Sequence, residues 1–370
     1  MGRPLKSVTI HGFKSIRNLK NFELTDLNVL VGANGAGKSN FVDFFRMLRA
    51  MSEEGLVKYV TEKGGADGFF YNGPKETKHI DVHLVFGNNE YQFILTPTAS
   101  SELMVQSEST LYAGAGRWRL HGGGRLESQL RAWKSSKSQR FPGAKGVEAY
   151  VYDAVSSWIV YHFHDTSATA PMRRNHSVAD WREFNPDASN IAAFLLDLKE
   201  KRIATYEKII ETIQLIAPFL DDFLLEPERK GENEVIRLQW RQKGSSYPFQ
   251  PWQLSDGTIR FICLATALLQ PNPPSTVVID EPELGLHPFA LDVLAGLFRD
   301  AAQRTQVIVS TQSPALLNSF APEEVIVVDR AQGATRMRRL DAESLEEWTA
   351  EYTLGELWQK NIFDGGPTHE

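Results

Sequence analysis

The chain has 370 residues, longer than one average domain, and 42% of them are hydrophobic, ample material for a core. Its net charge of −6 excludes a global pull toward nucleic acid, so any such contact has to come from a local patch. One cysteine, Cys263, excludes a disulfide framework or a Cys-based zinc site and reads as a buried core residue. No apolar run approaches the roughly 20 residues that span a bilayer, and no N-terminal signal pattern is present. A soluble, cytoplasmic protein with no membrane partner is expected.

In chain order, the first informative element is the apolar run Leu27–Val31, a short buried strand. The octapeptide Gly32-Ala33-Asn34-Gly35-Ala36-Gly37-Lys38-Ser39 follows and fits the phosphate-loop pattern G-x-x-x-x-G-K-[ST] at every fixed position. Asn40 to Met51 then reads as a helix, with Phe41, Phe44, Phe45 and Leu48 at i, i+3, i+4 and i+7. The glycines let backbone N–H groups turn inward around a polyphosphate, and the helix N-terminus adds its partial positive charge. Lys38, expected on a surface loop, would reach the β- and γ-phosphates, and the Ser39 hydroxyl would ligate Mg²⁺. The chain is therefore expected to bind a nucleoside triphosphate.

Ile80–Phe86 and Tyr91–Leu95 alternate in polarity around Gly87-Asn88-Asn89-Glu90 and predict a β-hairpin. The stretch 112–146 is Gly/Ser-rich and interleaves Arg117, Arg119, Arg125, Arg131, Lys134, Lys137, Arg140 and Lys145 with Trp118, Trp133 and Phe141. Cations with aromatics suit nucleic-acid contacts; a solvated loop reads equally well. On the expected strand Trp158–Phe163, His162 and then His164 share one face, with Asp165 adjacent, but no third ligand pattern supports a metal there. Arg173 and Arg174 follow on a polar loop, as phosphate contacts or as plain surface charge. Ser189 to Ile216 carries Ile191, Phe194, Leu195, Leu198, Ile209 and Ile213 at helical spacing, enough for a packed lid or short hairpin arm and too little for a long coiled coil.

Leu254-Ser255-Asp256-Gly257-Thr258 opens a helix that runs to about Gln270, with Ser255 as N-cap. Ser275–Ile279 is an apolar strand ending in Asp280 and Glu281. Asp280 is placed to hold the Mg²⁺ that bridges the phosphates, and Glu281 to orient and deprotonate the attacking water. Gln306–Ser310 and Glu324–Asp329 supply two further strands. Strands alternating with helices imply a parallel, helix-flanked sheet.

Together these elements resemble the RecF/SMC branch of the ABC ATPases, within the group of small bacterial predicted ATPases often labelled AAA-type. Leu254–Thr258 resembles the family's LSGGQ signature, whose serine and glycine contact a γ-phosphate held by the other subunit; here these are Ser255 and Gly257. Glu283-Leu284-Gly285-Leu286-His287-Pro288 resembles its D-loop, and Gln312 stands in the place of its switch histidine. Ile10-His11-Gly12-Phe13-Lys14-Ser15-Ile16 resembles its first strand and turn, and Leu354–Trp358 its tail. The resemblance implies an α/β fold, an ABC-type head with a mixed sheet flanked by helices, an antiparallel β subdomain and a short inserted lid or arm. Residues 1–97 and 235–370 would form the two halves of the head around an insertion at 98–234.

The implied ligands are ATP and Mg²⁺. ATP contacts are expected from Lys14, Gly32, Asn34, Gly35, Ala36, Gly37, Lys38, Ser39, Asn40, Ser255 and Gly257, catalysis from Glu281, Lys38 and Gln312, and metal ligation from Ser39, Asp280 and Asp165, with Asp165 or a neighbour also sensing the γ-phosphate. Two departures bear on hydrolysis. Asp256 adds a carboxylate where a γ-phosphate should dock, and Gln312 can donate a hydrogen bond but cannot move a proton. The partner implied is a second copy, joined head to tail when ATP binds. The output would be DNA repair or maintenance, with Arg117, Arg119, Arg125 and Arg131 as the DNA contacts. The alternatives are a sensor ATPase of an anti-phage or toxin system gating a separately encoded nuclease or toxin, and a slowly hydrolysing scaffold. With about 40 residues after Asp329, no nuclease domain is expected in this chain.

Overall fold

Strand periodicity decides the architecture. In the computed structural model, which describes residues 4–138 and 143–366, the chain opens with β1 (Ser7–Phe13), β2 (Ile16–Glu23) and β3 (Leu27–Val31), then α1 (Lys38–Ser52) and α2 (Leu56–Glu62). Next come β4 (Ile80–Phe86), β5 (Asn89–Pro97), β6 (Leu103–Tyr112), β7 (Arg119–Leu120), α3 (Val147–Ser156), β8 (Ile159–Tyr161) and β9 (His176–Ser177). Helices α4 (Ile191–Lys201) and α5 (Ile203–Ile216) precede five short strands, β10 (Leu220–Leu224), β11 (Glu228–Lys230), β12 (Asn233–Ile236), β13 (Gln239–Gln242) and β14 (Pro248–Phe249). The chain continues through α6 (Asp256–Leu269), β15 (Thr276–Asp280), α7 (Pro288–Ala302), β16 (Gln306–Thr311), α8 (Pro314–Leu317), β17 (Val325–Ala331), β18 (Ala334–Arg339), α9 (Ala342–Thr349) and α10 (Leu354–Gln359).

Besides two three-stranded sheets, β10-β13-β14 and β11-β12-β9, there are two six-stranded ones, of which one is antiparallel, in the order β2-β1-β4-β5-β6-β7. The other runs β18-β17-β3-β16-β15-β8 and is parallel except at its β17–β18 edge. Successive residues of the parallel strands point to opposite faces, and each face has its own core. Val29, Ile279, Val309 and Val327 point to one side, among residues of α4, α5, α6 and α7. Leu30, Val278, Ile308 and Val328 point to the other, among residues of α1, α3 and the antiparallel sheet. The all-phenylalanine stripe of α1 (Phe41, Phe44, Phe45) is fully buried between the two sheets.

Three expected elements take a sharper form. The hairpin closes through only Gly87 and Asn88, because Phe86 pairs directly with Asn89 and Gly87 supplies the positive φ of a two-residue turn. The strand expected over Trp158–Phe163 is β8 alone, since the His162 N–H turns away to the Pro186 carbonyl at 2.9 Å. The helical stretch 189–216 breaks at Arg202 into α4 and α5, a short hairpin packed on α6. Residues 98–234 are woven into both sheets: β6 and β7 extend the antiparallel one, and β8 joins the parallel one.

Gln306 ties the N-terminal segment to this framework. Its buried amide accepts from Leu5 N (3.2 Å) and the Thr276 hydroxyl (3.2 Å) and donates to Leu5 O (2.8 Å) and Thr25 O (3.1 Å). Gln306→Leu removes both halves of this clasp and leaves buried backbone groups unpaired. A loss of about 3 kcal/mol is expected, read as a lower urea midpoint with an unchanged slope. A loss under about 1 kcal/mol would show that other groups take over the amide's bonds.

Candidate nucleotide site

The ends of three parallel strands define the site. Asp280 of β15 lies opposite Ser310 of β16, which lies opposite Leu30 of β3. The phosphate loop leaves β3 one residue later, so loop, carboxylates and Gln312 emerge along one edge, at the carboxyl ends where open α/β sheets bind ligands. Gly37 makes the last turn of the loop with φ +113, and a Cβ there would collide with the Thr335 hydroxyl. That hydroxyl donates to Ala36 O at 2.8 Å and bonds Ser15 Oγ at 2.7 Å, so β18 and the β1–β2 turn brace the loop from outside. Among the described residues, the N–H groups of Gly35, Gly37, Lys38 and Ser39 have no hydrogen-bond partner. Such a nest, at the start of a 15-residue helix, has the geometry that suits an anion.

Lys38 is buried, at 5% exposure, instead of lying on the loop's surface as expected, because its ammonium folds back onto Gly32 O (2.6 Å) and Ala33 O (3.2 Å). Burial lowers its pKa, against the opposing pull of Glu281, Asp280 and Glu283. Three carboxylates therefore lie within electrostatic reach of one lysine. Glu281 sits in the left-handed region (φ +44), its N–H on Ser310 O at 2.8 Å. A non-glycine residue held there carries strain of the kind that collects at functional sites. The Gln312 amide donates to Glu281 Oε1. Glu283 is held beneath by the Thr311 hydroxyl and Gln312 N–H, each at 2.8 Å, and burial raises its pKa. Asp280 Oδ1 is buried and has no partner among the described residues. That oxygen and the exposed Ser39 hydroxyl are hard donors of the kind Mg²⁺ takes.

The signature turn is built by two buried arginines that the sequence did not single out for this role. Ser255 caps α6, accepting from Thr258 N at 3.1 Å, and is exposed. Arg173, read from sequence as a surface or phosphate-touching charge, is 5% exposed. It donates to Thr166 O (2.9 Å), Pro251 O and Leu254 O (3.1 Å), and pairs with the Asp256 carboxylate at 2.9 Å. The extra carboxylate of this signature thus has its own counter-charge. Arg260, one turn into α6, donates to Phe163 O (3.0 Å), His164 O (3.1 Å) and Leu284 O. His164 Nε2–H in turn donates to the Asp280 carbonyl at 2.8 Å. Gly257 approaches Gly285 so closely that a Cβ would collide with its carbonyl. Signature, D-loop and carboxylate strand form one bonded unit.

The other expected site residues lie partly around the loop and partly away from it. Lys14 pairs with Asp43 of α1 at 2.5 Å, and Asn40 donates to Ser15 Oγ at 2.5 Å. Both line a hollow of about 360 Å³ with Phe70, Tyr71 and Arg330, beside the loop's helix. Asn34, Gly35 and Gln312 line a second hollow of about 420 Å³ with Asp329 and Trp358, closed by the tail, whose Gly365 carbonyl accepts from Ala33 N at 2.8 Å. Asp165 is exposed and accepts from Ser167 N at 3.0 Å. Among the described residues, no three His, Cys, Asp or Glu side chains could hold a metal between them. The four arginines expected to contact DNA are dispersed. Arg117 and Arg119 line one cleft, Arg131 donates to Glu53 O at 3.1 Å, and Arg125 pairs through its backbone with Val105. Arg140 and Phe141 lie outside the described residues.

The family described as "AAA domain, putative AbiEii toxin, Type IV TA system" matches residues 27–122 and 148–318, most of the chain. The chain belongs to that AAA-domain family. This AAA-domain protein is 29% identical over 169 residues to the chromosome partition protein Smc of Desulfitobacterium hafniense (strain Y51), covering 40% of this chain and 14% of that one. It is 24% identical over 258 residues to urease accessory protein 2 of Cryptococcus neoformans, covering 69% and 20%. The chain therefore spans a fifth or less of these curated relatives. An SMC head bound to the C-winged helix domain of ScpA superimposes with a TM-score of 0.55 at 15% identity, covering 93% of this chain and 99% of that one. An SMC head with an extended coiled coil, bound to the C-terminal domain of ScpA from Pyrococcus furiosus, gives 0.54 at 17% identity, covering 94% and 99%. The AAA-domain protein has the fold of an SMC head.

Arg173 makes a direct test of the signature turn. Arg173→Ala strips three carbonyls and a carboxylate of one donor and is expected to destabilise by about 3 kcal/mol. Asp256→Gly leaves the carbonyl bonds in place and should cost under about 1 kcal/mol. Urea unfolding of both variants decides it. Equal losses would mean that the ion pair, not the carbonyl clamp, holds the turn.

Proposed function

We propose that this protein binds and hydrolyses ATP, yielding ADP and phosphate, and that ATP drives a head-to-tail dimer acting as a switch. One observation carries the reading: the open N–H nest, Lys38, the unpartnered Asp280 oxygen and the Gln312-held Glu281 converge on one sheet edge. In this reading the nest and Lys38 cradle the β- and γ-phosphates. Ser39 and Asp280 would hold Mg²⁺, which supplies charge neutralisation at the bridging phosphate oxygens. Glu281 orients the attacking water and takes its proton, and Gln312 fixes the carboxylate by hydrogen bonding without carrying charge. The hollow between Lys14, Asn40 and Tyr71 is the space for the nucleoside. The exposed Ser255 and the half-buried Gly257 would face a second copy, whose γ-phosphate they would contact, while Arg173 offsets the charge of Asp256.

For the output we favour DNA repair or maintenance, supported by the Smc relative and the SMC-head fold. The second reading is a sensor ATPase of a toxin or anti-phage system with a separately encoded effector, favoured by the family's own description. The ScpA complexes of the fold relatives make a protein partner reasonable in either case.

Lys38→Ala is expected to abolish ATP binding by calorimetry while circular dichroism stays native; near wild-type affinity would sink the phosphate-loop assignment. Glu281→Gln keeps the Asp280 oxygen and removes the base. It should therefore retain ATP affinity, lose phosphate release by at least about 100-fold, and accumulate a dimer in light scattering with ATP and Mg²⁺. A variant that hydrolyses at the wild-type rate would remove Glu281 from the chemistry.

A further inference from the structure

A cleft of about 840 Å³ opens at the β6–β7 edge of the antiparallel sheet. The β1–β2 turn that braces the phosphate loop belongs to a strand three positions away in that sheet, about 14 Å at the usual strand spacing. The cleft shares no lining residue with the phosphate loop. Three aromatic side chains line it in the open: Tyr112 at 37%, Trp118 at 40% and Tyr150 at 46% exposure. Most large aromatics of the chain are buried, so three in one hollow form an unusual uncovered surface.

The same walls carry four cations, Arg117, Arg119, Lys137 and Lys145, against one carboxylate, Glu148. Arg119 is held by Glu148 at 2.7 Å and Lys145 by Asp153 at 2.5 Å. Glu148 is buried and also accepts from Ser136 Oγ at 3.0 Å, so its charge is met inside the wall. Arg117 and Lys137 have no ion-pair partner among the described residues. The 10-residue helix α3 starts at the cleft on Gly146, which has no side chain to cap it. Stacking faces, two free cations and a helix N-terminus suit a ligand that is aromatic and anionic in the same unit. A purely anionic ligand would leave the rings exposed, and an apolar one would leave the cations unmatched.

We propose that this cleft binds a nucleotide unit, its base stacked on Trp118 and Tyr150 and its phosphate against Arg117 and Lys137. The unit is either a free nucleotide or part of an unpaired nucleic-acid strand. The cleft's helix α3 packs on α1, and Arg49 of α1 donates to Ser156 O at the end of α3 and to Trp158 O.

Fluorescence anisotropy of a labelled oligothymidylate on the full chain, with the phosphate loop saturated by ATP and Mg²⁺, tests this at about 0.15 M salt. Binding is expected. Trp118→Ala should weaken it by about tenfold. Arg117→Ser with Lys137→Ser should lower the salt slope by about 1.4, the share of two single-strand phosphate contacts. Affinity for ATP and melting temperature should not change, because all three side chains are at the surface. Competition by thymidine monophosphate at least as strong as by the unlabelled oligomer assigns the site to free nucleotides; competition by the oligomer alone assigns it to a strand. No binding of either probe, preference for duplex, or binding indifferent to these substitutions overturns the proposal.

Discussion

The parallel ladder between β3, β16 and β15 is the constraint on which the rest depends. Because Leu30, Ser310 and Asp280 stand in register, a loop leaving one strand and two carboxylates ending another, some 250 residues apart in sequence, are forced to one edge. The ladder is itself held by its side chains. Val and Ile on alternate faces feed two separate cores, so a one-residue slip of any central strand would exchange the two sets and misplace its terminal functional group. Site geometry and core packing are therefore the same restraint.

Charge inside this edge is arranged around Lys38. A buried ammonium is unfavourable alone, and two backbone carbonyls together with the nearby carboxylates hold it. A triphosphate would offer the same ammonium stronger anionic acceptors than those carbonyls. The unpartnered Asp280 oxygen and the open N–H groups of the loop belong to the same economy of unmet polar groups, which a bound nucleotide with its cation would satisfy.

How much of this was legible in the sequence follows the range of the interaction. The phosphate loop, the α1 stripe and the Asp280-Glu281 strand end are local patterns set by glycine geometry, helical period and strand alternation, and they read directly. The N-cap role of Ser255 is local too. Thr335 and Ser15 behind the loop were not legible, because they meet across 320 residues. Arg173 gave no signal beyond a basic pair on a polar loop; only the fold brings it 83 residues along the chain to Asp256. The carboxylate of Asp256, read alone, looked like a charge opposing phosphate, and its meaning changed once its partner was in place. The layout of the basic stretch 112–146 was not legible either: residues close in sequence are separated by the edge strands they cross, leaving Arg117 and Arg119 in the cleft and Arg131 against the turn after α1.

Arg260 shows how the two ends of the machinery are joined. Its three donors fix α6 to the D-loop at Leu284 and to the backbone at Phe163 and His164, and the His164 ring grips the Asp280 carbonyl. The guanidinium is buried and its bonds to carbonyls are charge-assisted, so each is stronger than a neutral one and none is readily replaced by water. A displacement of the signature turn by a second subunit would have to break these bonds or carry the D-loop and the His164 segment with it. Carrying them is the cheaper course, since Gly257 and Gly285 are already in close contact and move as one surface. The Asp280 end of β15 is thus mechanically continuous with the turn that carries Ser255 and Gly257.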